Sequence, residues 1–340
     1  IVTVTADTIL ISPSGDLVNQ AAGSSITITG DLEADDSYQL GAFSAKTGYP
    51  AAVAFYEQRL VFANTLEQPQ TLFFSQGGDF ENFTQGTDDA SALVYTIGSN
   101  QVNVIQYLSS GRSLLVGTSG GEFAVSASGT TEPLTPKNAQ IKKQSSYGST
   151  TTQPVLVGNV TLFIQRAKRK VRELVYDFDS DSYLAPDLTL LAEHITESGI
   201  KEIAFQQEPD NIVWCVLEDG RFVGMTYRRE EQVVAWHEHL MGGSSSVGGT
   251  DYDYGFVESV ASIPGDLDED TVYIVVNRQV DGSTVRHVEF FNVFDFGDDI
   301  LDAHFLDSGL QYSGSAVSSV SGLSHLEGET VSILADGSAH

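Results

Sequence analysis

The chain has 340 residues and a hydrophobic content of 41%, enough for one large or two ordinary domains with a substantial core. With 46 acidic residues against 17 basic ones, the net charge is −29; a surface of this sign repels phosphate and argues against nucleic-acid binding by counterion release. One cysteine, Cys215, excludes a disulfide framework, and no apolar run is long enough to span a bilayer.

In chain order, alternating residues predict strands over 1–5 and 26–29, ahead of Gly48-Tyr49-Pro50. Five blocks follow, rich in Thr, Val, Ile, Tyr and Phe and punctuated by Gly, Asn, Asp and Ser. The first has apolar runs over 52–56, 59–63 and 71–75; the second over 104–108, 113–117 and 122–125; the third over 155–157, 161–164 and 171–176. The fourth has runs over 202–205, 212–216, 222–227 and 233–236, and the fifth over 257–261, 272–276 and 284–290. The blocks begin about fifty residues apart, a blade-sized period. A unit of three or four strands has two apolar faces that it cannot bury alone, whereas radial stacking buries both. The expectation is therefore an all-β fold, an irregular β-propeller of five to six blades; a pair of β-sandwiches would show the same strands and similar turns. One short helix is expected after Pro186, from Asp187 through Leu188, Leu190, Leu191 and Ile195.

Three regions are expected: an N-terminal β segment over 1–48, propeller blades over 49–300, and the start of a further small β domain over 301–340, which is rich in Ser and Gly. The chain opens at Ile1 without a Met, and Thr330 to Gly337 reads as a strand entering a turn. Both ends are expected to be cuts in a longer protein, the N-terminal segment included.

Candidate chemistry is sparse. Asp177, Asp179 and Asp181 alternate like the opening of a calcium loop, but Ser182 holds the glycine position and Leu188 that of the bidentate glutamate. An acidic hairpin turn is the simpler reading, as is a solvated turn for Asp266, Asp268, Glu269 and Asp270. His237 and His239 share a face if extended, yet two ligands do not make a zinc site. Gly117 to Glu122 lacks the Lys-Ser/Thr of a phosphate loop and reads as a turn, and no Gly-x-Ser-x-Gly elbow occurs. A glycosidase carboxylate pair has no pointer in the sequence. Cys215 lies in the apolar run 212–217 and reads as a buried small hydrophobe. Arg166, Lys168, Arg169, Lys170 and Arg172 form the one basic cluster, suited to pairing with acid within the chain or on a neighbouring subunit.

Several stretches form an ordered set: Gly48-Tyr49-Pro50, Glu57 to Ala63, Gln68 to Thr71, Ser75 with Gly78 to Phe83, Gln101 to Asn103, and Leu115 to Glu122. The set continues through Ser146 to Gly148, Arg169 to Leu174, Ala185 to Ile195, Gln207 to Pro209 and Leu323 to Gly328. Together, over roughly residues 40–335, it resembles the tail nozzle proteins (tail tubular protein B type) of short-tailed, podovirus-like phages. The resemblance implies a β-propeller core and a homo-oligomeric ring, sixfold, at the distal end of the virion tail. It also implies docking beneath a tail adaptor protein, flanking tail fibres or spikes, and a gated channel through which genomic DNA passes without specific binding. No catalytic residue and no cofactor is assigned, and the basic cluster becomes a subunit-interface candidate. The alternative function is a peripheral receptor-binding or glycan-cleaving tail protein.

Overall fold

The computed structural model of the chain describes residues 2–5, 8–11, 42–98, 103–129, 132–179, 181–265, 269–292, 307–335 and 338–339. It divides into two compact units, residues 1–41 and 42–340. In the first, β1 (Val2–Thr5) and β2 (Thr8–Ile11) pair antiparallel, with Thr5 opposite Thr8. The strand expected over 26–29 lies outside the described residues.

The second unit is all-β, and each of the five sequence blocks forms one antiparallel sheet. The first sheet holds β3 (Ala52–Tyr56), β4 (Arg59–Ala63), β5 (Thr71–Phe74) and β6 (Leu93–Thr96). The second holds β7 (Ile105–Ser110), β8 (Leu114–Thr118), β9 (Gly121–Ala127) and β10 (Ala139–Ser145). The third is β11 (Val155–Val157), β12 (Val160–Ile164), β13 (Val171–Asp177) and β14 (Ser182–Leu184). The fourth is β15 (Ile200–Gln206), β16 (Ile212–Leu217), β17 (Phe222–Arg228) and β18 (Val233–His239). A small hairpin, β19 (Ser245–Val247) with β20 (Thr250–Tyr252), precedes the three-stranded fifth sheet of β21 (Phe256–Pro264), β22 (Asp270–Val280) and β23 (Ser283–Phe290). The last strands, β24 (Leu334–Ala335) and β25 (Ser338–Ala339), pair with each other. Strand order equals chain order in every sheet, so neighbours are joined directly without crossovers.

The continuous apolar strands have a direct physical cause. Successive side chains leave a strand on opposite faces, and the inner sheets bury both. In β16, Val213, Cys215 and Leu217 enter a core shared with the third sheet, whose contributions include Leu162 and Val171. Trp214 and Val216, on the other face, enter a core shared with Val257, Ile274 and Val276 of the fifth. Leu114 and Val116 of β8 likewise meet the first sheet at Val61 and Phe74, while Leu115 meets the third at Phe163 and Leu174. Four cores thus alternate with five sheets. The first strands of neighbouring sheets adjoin where β3 meets β7, β11 meets β15 and β15 meets β21.

Among the described residues, no further sheet packs on the outer faces of the terminal sheets. On the first, Val53 pairs across the ladder with Phe62 and Phe55 with Leu60. Val53 and Phe55 are exposed, and loop residues Phe43, Phe80 and Phe83 cover only part of the face, with Phe80 edge-on to Phe55 at 5.2 Å. On the fifth, Val288 pairs with Val275 and Phe290 with Tyr273, and Ile263, Val288 and Phe290 are exposed.

The helix expected over 187–195 does not form; the segment is a series of turns. Asp187 bridges β13 at Arg172, and its carboxylate accepts from the Thr189 amide and hydroxyl. The Leu188 amide donates to Val171 O and the Leu188 carbonyl accepts from Trp236 Nε1 at 3.0 Å. Tertiary partners therefore take the backbone groups that a helical ladder needs, overriding the local preference.

Candidate functional site

Neighbouring sheets are also joined by polar groups, built on a buried carboxylate between the second and third and between the third and fourth, and on half-buried or exposed groups between the fourth and fifth. Between the second and third, Glu122 at the start of β9 is fully buried. It accepts from Ser149 Oγ at 2.7 Å and from the Ser145 hydroxyl. Burial pushes its pKa up, and the two serine hydroxyls and Arg172 partly offset this. Between the third and fourth, buried Glu173 accepts from the Tyr227 hydroxyl at 2.8 Å and from Arg229 Nε at 2.6 Å. Between the fourth and fifth, Ser259 donates to Glu202 at 3.1 Å, and Lys201 Nζ donates to Glu258 O at 2.8 Å. Glu258 itself is held by Asn277 and Arg286. The burial of Glu122 and Glu173 was not evident from the sequence, because both sit in β-runs where an outward side chain is equally natural.

Arg59 plays the same part in the first sheet. Its guanidinium is buried and donates to the carbonyls of Ser75 (2.7 Å), Ser91 (2.8 Å) and Asp89 (2.8 Å), with longer bonds to Ala90 and Leu134. A cavity of about 430 Å³ opens beside it, lined by Glu57, Asp89 and Leu134 among others. The Glu57 carboxylate accepts from the Leu134 amide at 2.6 Å. The groups around this cavity already serve one another.

The basic cluster lies at and beside the β12–β13 turn, and most of it is engaged within the chain. Lys168 pairs with Glu218, Arg169 with Glu197, and Lys170 with both Asp187 (2.7 Å) and Glu193 (2.9 Å). Burial raises the pKa of Asp187, but hydrogen bonds from Lys170 and Thr189 outweigh it and hold the carboxyl below its usual value. Arg172 is buried; it donates to Gln165 and to Ala185 O and lies over the Tyr147 ring, 3.5 Å from its centre. Arg166 is exposed.

Asp177, Asp179 and Asp181 lie at the β13–β14 hairpin, where Asp177 pairs with Ser182 and Asp181 accepts from the Tyr176 hydroxyl at 2.7 Å. Glu269 and Asp270 are described at the start of β22, where Asp270 accepts from the amides of Gln207 and Glu208. Asp266 and Asp268 lie outside the described residues. Among the described residues, no group of three or more His, Cys, Asp or Glu side chains could hold a metal ion, and no helix is long and apolar enough to cross a membrane. Cys215 is buried in the core between the third and fourth sheets, and burial raises its thiol pKa.

No protein-family model and no curated protein matches the chain. Among solved structures, an auxiliary nutrient binding protein from Bacteroides ovatus is similar at 9% identity, over 69% of this chain, with a TM-score of 0.37. The match covers 54% of that protein, so this chain spans about half its length. A luciferin-regenerating enzyme is similar at 11% identity over 65% of this chain and 80% of its own, with a TM-score of 0.27. Likeness at these TM-scores carries no argument about activity.

Proposed function

We propose that the chain is a non-enzymatic structural subunit of a phage tail nozzle, built on an irregular β-propeller of five to six blades. It would assemble as a homo-hexameric ring beneath the adaptor protein, with fibres or spikes at its flank. The observation that most supports an assembling subunit is the unfinished succession of sheets. The inner three sheets bury both faces, whereas the first and fifth leave Val53, Phe55, Ile263, Val288 and Phe290 exposed. Apolar faces of this kind are suited to contact with another element.

The charge fits a conduit. With a net charge of −29 and with Lys168, Arg169 and Lys170 already paired to carboxylates, the surface offers DNA little to hold. Short-range repulsion would let the genome pass without sticking. Of the interface candidates, Arg166 is the one whose charge is most readily offered to a neighbouring subunit. An antibody fragment raised against the folded chain tests the location: it should decorate the distal tip of the tail in electron micrographs of the virion. Decoration confined to lateral fibres, or none on intact and disrupted particles alike, would overturn the reading.

A further inference from the structure

Strand β18 is the outer strand of the fourth sheet. Alternation puts His237 and His239 on one face and Glu238 on the other, where it accepts from Arg221 at 3.1 Å. Across the ladder, His237 stands opposite Gly224 and His239 opposite Phe222. A Cβ on Gly224 would collide with the His237 ring, so the bare glycine lets that imidazole lie flat over the strand. Both histidines are half-buried, edge-on to Trp214 at 5.8 and 5.0 Å, and Phe291 flanks His239. The result is a close approach of two ring nitrogens: His237 Nδ1 lies 2.7 Å from His239 Nε2.

We infer that His237 and His239 form a two-nitrogen chelate for a divalent transition-metal ion of the copper(II) or nickel(II) class, with water completing the coordination. One ring now donates its N–H to the lone pair of the other; on metal binding that hydrogen bond breaks and the rings turn so that both lone pairs converge on the ion. Two nitrogens about 2.0 Å from a metal and at right angles to each other lie about 2.8 Å apart, whereas a tetrahedral angle sets them about 3.3 Å apart. The observed spacing of 2.7 Å is that of a hydrogen bond; it shows that the two nitrogens can come as close as a right-angled pair requires, the arrangement that copper(II) and nickel(II) prefer. The other nitrogen of His237, Nε2, is 3.4 Å from Thr226 Oγ1. When Nδ1 binds metal, that nitrogen carries the proton and donates to the hydroxyl, the outer-shell arrangement that orients metal-bound imidazoles.

Copper(II) titration of the intact chain tests this. With one equivalent, the electron paramagnetic resonance spectrum should show two equatorial nitrogen donors. In a W236F background, fluorescence of the remaining indole, Trp214, should be quenched with saturation at one equivalent. H237Q and H239Q should each weaken binding by about tenfold or more. G224A, which keeps both imidazoles, should also weaken it, while H194Q at an exposed site should leave it unchanged. A spectrum of the unmodified chain without two nitrogen donors would overturn the proposal, as would a quenching midpoint that survives both H237Q and H239Q.

Discussion

The phenol of Tyr227 donates to a Glu173 carboxylate oxygen 2.8 Å away, so a buried acid of the third sheet holds a fully buried aromatic of the fourth. Arg229 takes the other oxygen at 2.6 Å. Y227F would leave the ring in place and remove only the donor. Hydrogen bonds to charged groups contribute about 2 kcal/mol, and Y227F should destabilise the fold by about that amount in urea denaturation. A loss below about 0.5 kcal/mol, the range of neutral surface changes, would contradict the joint.

Glu122 makes a pH-dependent contribution. Burial raises its folded-state pKa above the unfolded value of about 4.3. For an acid shifted in that direction, the contribution is fully present below the unfolded pKa and is lost as pH rises through the folded one. Thermal melts of the wild type and E122Q should therefore show the wild type losing stability relative to E122Q as the pH rises above about 4. A difference that stays constant over that range would contradict the assignment.

Arg59 should be among the least replaceable side chains of the first sheet. R59M removes the donors for the carbonyls of Ser75, Asp89 and Ser91, which are otherwise served by its guanidinium. Leaving several buried acceptors unpaired should cost about 3 kcal/mol or more, read as a lowered urea midpoint with an unchanged slope.

What could be read in advance divides along physical lines. Runs such as Ile212 to Leu217 are apolar at every position because both faces are buried, so five blocks were visible as five units. The fourth strands of the first three sheets were not: β6 lies beyond the long loop after Phe74, β10 is Ala-Gln-Ile-Lys-Lys-Gln-Ser and only half-buried, and β14 has three residues. The turns after Pro186 read as a helix because capping and spacing are local signals, whereas Val171 O and Trp236 Nε1 are distant partners. The shared face of His237 and His239 follows from alternation, but the contact of their rings depends on the register that sets Gly224 opposite. The basic cluster was legible as a cluster; its partners Asp187, Glu193, Glu197 and Glu218 were not, since the turns that bring them near are set by tertiary contacts.

The exposed Val288 and Phe290 of the fifth sheet give a prediction about assembly. V288D and F290D place charge on exposed apolar positions and should change monomer stability by no more than about 0.5 kcal/mol. If this face meets another subunit, the double variant should fail to enter rings that the wild type enters on the adaptor. Sedimentation of the mixture reads this directly, and incorporation equal to that of the wild type would show that the interface lies elsewhere.

The most direct test of the nozzle reading is a reconstruction of the virion tail with the five-sheet unit fitted into it. Six copies around the axis at the distal end, below the adaptor, are the predicted result. Copies off the axis, in trimers at the periphery, would contradict it and point to a receptor-binding role instead.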